Sequence, residues 1–296
     1  MYKKIILIAA LIASNFAVLA ISPYYNFGFL NGTTQNAIED VSKALTNADF
    51  TILGSYQPEG NPHLNVIAFT NSELQKTTFA ISDRGALASV LKVSIIEKDG
   101  KPLLYLLNPE YIFWAYLRDQ MENNSTSSAL KKVTDLALSS LSAISKTPVE
   151  TGGSFEKKDL KKYHYMMGME RFSDPVALKS FASFAEGTKI IEANLAKGIG
   201  STKLIYKSNV VGKEIVVYGV ALLNKEEGEP QFLPIIGEAY ASALPYEIIL
   251  EGKEASMLHG RYRIALHWPE LTMMTFSKIM STPGDIENQL KALTEK

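Results

Sequence analysis

The chain contains no cysteine. That excludes disulfides, thiolate nucleophiles, cysteine-ligated zinc, iron–sulfur clusters and a lipidated amino-terminal cysteine. Neither sign of charge dominates, with 30 basic against 31 acidic side chains and no run of five like charges, so nothing points to nucleic acid as a partner. Gly-x-Gly-x-x-Gly, the phosphate loop and the Gly-x-Ser-x-Gly elbow are all missing, which leaves dehydrogenase, nucleotide hydrolase and serine hydrolase assignments unsupported. Histidine is scarce at four residues, which limits imidazole chemistry to His63, His164, His259 and His267. Beyond the amino terminus no apolar run approaches the roughly 20 residues that span a bilayer.

The one long apolar run is Ile5 to Ala20, interrupted by Ser14 and Asn15 and preceded by Lys3-Lys4. A basic head and a greasy stretch make the layout of a secretory signal. As a helix the run would reach roughly 24 Å, short of the roughly 30 Å hydrocarbon core, which favours cleavage over an uncleaved anchor. Val18 at −3 and Ala20 at −1 suit signal peptidase and would leave Ile21 as the first mature residue. The expectation is an exported bacterial protein, periplasmic or secreted, either freed from residues 1–20 or tethered by them. Asn31, Asn123 and Asn124 open glycosylation sequons, which matter only in a eukaryotic secretory route.

With 296 residues, 46% of them hydrophobic, the chain can bury a substantial core and stands where single cores split in two. Without disulfides, packing alone must hold the mature chain. Strand-like runs lie at Tyr24 to Leu30, Phe50 to Tyr56, His63 to Thr70, Val90 to Glu97 and Pro102 to Leu107. Asp99-Gly100 marks a hairpin between the last two. The spacing of Ile38, Val41 and Leu45 predicts a helix capped by Thr34, and Leu130, Val133, Ala137, Leu141 and Ile144 stripe a helix from Ser125 to Ile144. Pro, paired Gly and charge over 146–162 read as a linker. The pattern then restarts: a strand at Tyr163 to Phe172, a helix opened by Asp174-Pro175 and running to Lys197, strands near Lys203 and at Glu214 to Leu223, Ile248 to Leu250 and Tyr262 to His267, and two closing helices.

These orders suggest a duplication. At a shift of 153, Ala86 to Leu91 lies over Ala239 to Leu244 and Ile95-Ile96 over Ile248-Ile249; at 160, Leu106 lies over Leu266, Pro109-Glu110 over Pro269-Glu270 and Leu130 over Leu290. A single insertion in a hairpin connection would account for the change. The expectation is an α+β protein of two similar two-layer domains, residues 21–145 and 163–296, each a largely antiparallel sheet covered by helices with its own core.

Gly100-Lys101, Tyr105 and Asn108-Pro109-Glu110-Tyr111, followed by an aromatic helix, resemble the DUF302 family, in which a strand with a basic start runs into an Asn/Asp-Pro-x-Tyr helix opening. Leu91 to Glu97 resembles that family's strand after a Leu-Pro pair. The first unit has Leu91-Lys92 there, while the second keeps Leu244-Pro245 but carries Trp268 and Leu271 at the helix opening. The resemblance covers about 120 residues in the first unit and, more weakly, a similar length in the second. It implies a compact α+β fold and no particular chemistry.

Candidate functional residues are few. Pro109-Glu110 and Pro269-Glu270 could form an acid/base pair, although proline at the first helical position and glutamate beside the positive helix end serve a helix start equally well. The helix Tyr111 to Leu117 is apolar all round, so it is either central or presents Tyr111 and Trp114 to a ligand or partner. His267-Trp268 enters the equivalent corner of the second unit. Together Tyr105, Glu110, Tyr111, Trp114, His267, Trp268 and Glu270 make the candidate binding set. His164 to Met169, with three methionines, would suit Cu(I), but strand alternation would split it between two faces. No cofactor is indicated. The functional reading is a module that binds a small apolar ligand or a partner protein, with a dispersed enzyme site near the Pro-Glu pairs, or copper or haem handling, as alternatives.

Overall fold

The computed structural model describes residues 20–296; the expected signal segment otherwise lies outside the described residues. The architecture is α+β, with two antiparallel sheets covered by helices. Strand β1 (Ala20–Ile21) leads into the first unit: β2 (Tyr24–Phe29), α1 (Thr34–Asn47), β3 (Thr51–Tyr56), β4 (Leu64–Thr70), α2 (Ser72–Thr78), β5 (Leu91–Lys98), β6 (Lys101–Leu107), α3 (Pro109–Leu117) and α4 (Asn124–Ser142). Strand β7 (Val149–Thr151) adds to the same sheet, whose order is β3-β4-β5-β6-β2-β7. Strand β8 (Phe155–Glu156) pairs with β1, and one helical turn, α5 (Lys157–Leu160), follows. Much of the segment expected as linker therefore carries regular structure.

The second unit comprises β9 (Val176–Ser180), α6 (Phe184–Lys197), β10 (Thr202–Asn209), β11 (Ile215–Leu222), α7 (Glu229–Ile236), β12 (Tyr246–Glu251), β13 (Glu254–Met257), α8 (Gly260–His267), α9 (Met273–Phe276) and α10 (Thr282–Ala292). Its sheet order, β10-β11-β12-β13-β9, repeats the first five strands of the other sheet. The match extends to local devices. Thr33 caps α1 and Ser183 caps α6, each side-chain oxygen accepting the backbone N–H three residues on. Ala37, Val41 and Leu45 are buried on α1, and Gly187, Ile191 and Leu195, each 150 positions later, are buried on α6. One extra residue bulges the pairing of β2 with β6 at Phe27, and another bulges β9 with β13 at Leu178, 151 positions later. Asp99 and Gly100 both have positive φ, 52° and 71°, as a two-residue hairpin turn requires.

Several sequence expectations are corrected. Tyr163 to Phe172 forms no strand, and the strand begins at Val176, where a helix was expected. Asp174-Pro175 does not open a helix, because Ser183 provides a complete cap further on: its hydroxyl accepts the Glu186 N–H while the Glu186 carboxylate takes the Ala182 N–H. The cap of α1 is Thr33 rather than Thr34. Tyr262 to His267 is helical, since His259 accepts the Arg261 N–H and starts a turn. Asn108-Pro109-Glu110-Tyr111 therefore has its structural counterpart in His259-Gly260-Arg261-Tyr262, at a shift of 151; Pro269-Glu270 lies beyond the end of α8, not at a helix start. Finally, the buried residues form one contiguous core, not two.

That single core arises because the units meet face to face. The Tyr111 hydroxyl on α3 donates to the Leu266 carbonyl on α8 at 3.0 Å, and the Tyr262 hydroxyl on α8 contacts the Ala115 carbonyl on α3 at 3.4 Å. Tyr262 and Leu266 stand 151 positions beyond Tyr111 and Ala115, so the two contacts are reciprocal, as across a local two-fold axis. Tyr116 and His267, also 151 apart, bond to each other at 3.1 Å. Helix α3 buries Tyr111, Ile112, Phe113, Ala115, Tyr116 and Leu117, which places it centrally. Nearby, β3 and β10 approach so closely that a Cβ on Gly54 would stand 2.0 Å from the Ile205 carbonyl oxygen. Gly54→Ala should therefore lower stability by about 1–3 kcal/mol in denaturant titration. Gly284→Ala in α10, with nothing within 4 Å, should be neutral or stabilising by about 1 kcal/mol or less.

Candidate functional site

The candidate residues separate into three places. Glu110 sits in the first turn of α3, its N–H received by the capping side chain of Asn108 at 3.0 Å. One turn on, the half-buried Trp114 directs its indole N–H to Glu110 Oε1 at 3.4 Å, and Lys157 of α5 meets the same oxygen at 2.5 Å with its ammonium 5.8 Å from the indole ring centre. This trio forms one wall of an open cleft of about 250 Å³ between α3 and α4, whose far wall includes Ser127, Ser128 and Lys131. An aromatic face beside an ion pair can hold a flat apolar group and orient a polar end.

Tyr111, His267 and Trp268 belong to the seam. His267 is buried, and burial together with the Arg263 and Lys92 charges holds its imidazole well below the ordinary pKa, hence neutral. Its backbone carbonyl accepts the Tyr24 hydroxyl at 2.7 Å. The Trp268 indole N–H donates to the Gly237 carbonyl at 3.1 Å. The cavity beside His267 and Tyr116 is about 10 Å³, room for one water molecule at most and too small for a ligand. Elsewhere, Tyr105 on β6 accepts from Asn26 at 3.2 Å, and the exposed Glu270 accepts the Tyr240 hydroxyl at 2.5 Å. Glu110 and Glu270 have different partners, and only Glu110 stands at a helix start, so the matching placement expected of the two Pro-Glu pairs is not found.

His259 and His267 occupy opposite ends of α8, about 12 Å apart along the axis, and not one strand face. His164 to Met169 is irregular, with Met167 93% exposed. Among the described residues no three His, Asp or Glu side chains are grouped to hold a metal ion.

Sequence reasoning missed the charges buried in the seam. Glu247 on β12 receives the Lys92 ammonium from β5 on one oxygen, and the Arg263 guanidinium from α8 on the other at 2.9 Å. The Tyr206 hydroxyl adds a bond at 3.2 Å, and Arg263 also donates to the Ala243 and Pro245 carbonyls and lies 3.9 Å from the Tyr246 ring centre. Burial pushes the Glu247 carboxyl up, but the adjacent Arg263 and Lys92 charges outweigh it and hold it below the usual range. The sequence signal is a lone charge inside an apolar run at Lys92 and at Glu247; Arg263, two residues after Arg261, carries none. A second buried acid, Glu229 at the start of α7, accepts from the Tyr56 hydroxyl and the backbone N–H groups of Glu59 and Leu222. Burial pushes it up to about 7.

No family model matches the chain, and no curated protein matches it. Among solved structures, the crystal structure of an uncharacterized conserved protein DUF302 from Bacillus stearothermophilus is similar at 11% identity, with a TM-score of 0.35, over 41% of this chain and 98% of that one.

Glu247→Gln leaves two buried cations without their counter-ion and should cost about 3–5 kcal/mol, whereas Lys92→Met keeps the Arg263–Glu247 pair and should cost clearly less. The pH response has two signs. Glu247's contribution is present above the unfolded glutamate pKa and is lost as pH falls through its lower folded value. Glu229, raised in the folded state, stabilises below the ordinary glutamate range, and that contribution is lost as pH rises through about 7. In urea titrations from about pH 5 to 8, Glu229→Gln should gain stability relative to the parent as pH rises to about 7; the depressed imidazole of His267 acts with the opposite sign, so the difference between the two proteins reports Glu229.

Proposed function

We propose that this chain is an exported binding module that takes up a small ligand with a flat apolar face in the cleft between α3 and α4, stacked on Trp114. What carries the reading is the half-buried indole set beside the Glu110–Lys157 pair in a cleft of about 250 Å³. A polar anchor next to an aromatic face is the arrangement small-molecule sites use. An enzyme with its acid/base pair at Glu110 and Glu270 has lost its geometric support. Export rests on the basic head and apolar run of the amino-terminal segment. Among the described residues no helix is long and apolar enough to cross a membrane. The matching strand order, caps and bulges of the two units support an origin by tandem duplication, with ligand uptake confined to the first copy.

Native mass spectrometry of the full chain purified without chelators or denaturant should show a co-purifying mass that Trp114→Phe or Glu110→Gln diminishes. A clean ligand-free mass for the unsubstituted protein, or an adduct equally retained by both variants, would contradict the reading.

A further inference from the structure

The units share a chain path but not the side chains that line one face of their seam. There, two adjoining clefts of about 310 and 100 Å³ share Arg118, Lys161 and Lys162 as walls. Arg171 completes four cations against two carboxylates, Asp83 and Asp119. Asp83 is gripped from both sides: Arg84 meets one carboxylate oxygen at 2.7 Å and Arg118 the other. The same two guanidinium groups lie 5.0 and 4.7 Å from the centre of the Phe172 ring, brought in by the second unit. Lys161 is occupied by Asp119 and Glu122. Lys162 and the side chain of Arg171 make no ion pair among the described residues. Arg84, 9% exposed, and Arg118 each keep an Nε without a hydrogen-bond partner.

Asp83, Arg84 and Arg118 all have positive φ, at 60°, 65° and 51°. Arg118, with ψ of −118°, occupies a region suited to glycine. Such strain persists only where the surroundings impose it, and it concentrates at functional sites. The second unit supplies an internal comparison. At its shifts of 153 and 151, the positions matching Asp83, Arg84 and Arg118 are Ile236, Gly237 and Pro269. Gly237 has a φ of 117°, so at this position one copy meets a left-handed backbone with glycine. The first copy holds an arginine there instead, which backbone geometry alone does not call for.

We propose that this one-sided cleft is an oxyanion site, taking the phosphate or carboxylate group of a small ligand against Arg118, Lys162 and Arg171. Planar guanidinium groups present paired donors that fit either group, and Lys162 and Arg171, which are exposed and have no ion pair among the described residues, line these clefts together with Arg118. The site is separate from the Trp114 cleft and stands or falls without it.

The test is calorimetric titration and thermal shift of the full chain at low ionic strength, with inorganic phosphate and with citrate as probes and chloride as the control for screening. Saturable binding of at least one probe is expected, with affinity falling at least tenfold in Lys162→Gln and in Arg118→Gly. Lys162 is exposed and pairs with no carboxylate among the described residues, so the anion-free melting temperature of Lys162→Gln should match that of the parent, separating lost binding from lost folding. Phosphate binding without citrate binding would identify a phosphorylated ligand, and the reverse a carboxylate. Absence of saturable binding by either, or equal binding in both variants, would overturn the proposal.

Discussion

One carboxylate organises this molecule. Glu247 is buried where the two units meet, and its oxygens are shared between Lys92 from the first unit and Arg263 from the second. Removing three charges from water carries a desolvation cost that only close mutual contact can offset, so the ions need both units in place at once. The surrounding apolar surface follows the same logic. Helices α3 and α8 are buried nearly all round because each covers the other. With no disulfide to hold the halves, this seam supplies the constraint.

The seam is symmetric in backbone and asymmetric in chemistry. Tyr111 and Tyr262 exchange equivalent contacts with Leu266 and Ala115, as the faces of an isologous dimer would. Side chains break the equivalence: Lys92 matches Pro245, Glu247 matches Ser94, and Arg263 matches Ile112. Two identical copies would face each other with like charges, whereas a single chain can place an acid in one copy opposite a base in the other. That freedom also lets one copy carry strained charged residues while its counterpart retains glycine and proline.

Much of the first unit was legible in the sequence because its signals are local. The Asp99-Gly100 turn, the caps at Asn108 and near Thr33, and the stripe of α4 depend on neighbours within a few positions. Glu110 and Trp114 could be placed together because residues four apart share a helix face. The second unit was harder to read. Ile264, Ala265 and Leu266 form an apolar run that fits strand or helix, and the choice was made by the cap at His259 and by packing against α3. Misreading α8 as a strand shifted its alignment from 151 to 160 and produced a false partner for Pro109-Glu110. The buried ions were hidden for a different reason. Lys92, Glu247 and Arg263 are far apart in the chain, and spacing cannot show that their charges meet. The positive φ of Arg84 and Arg118 likewise has no glycine to announce it.

A seam of buried ions shared by both units makes them unfold together, and the chain carries one tryptophan in each, Trp114 and Trp268. Denaturant unfolding of Trp268→Phe, reporting through Trp114, and of Trp114→Phe, reporting through Trp268, should each give fluorescence and circular-dichroism transitions that coincide within that variant. Fluorescence and circular dichroism that separate into two transitions, with one unit melting while the other stays folded, would contradict the claim that the seam makes the chain a single cooperative body.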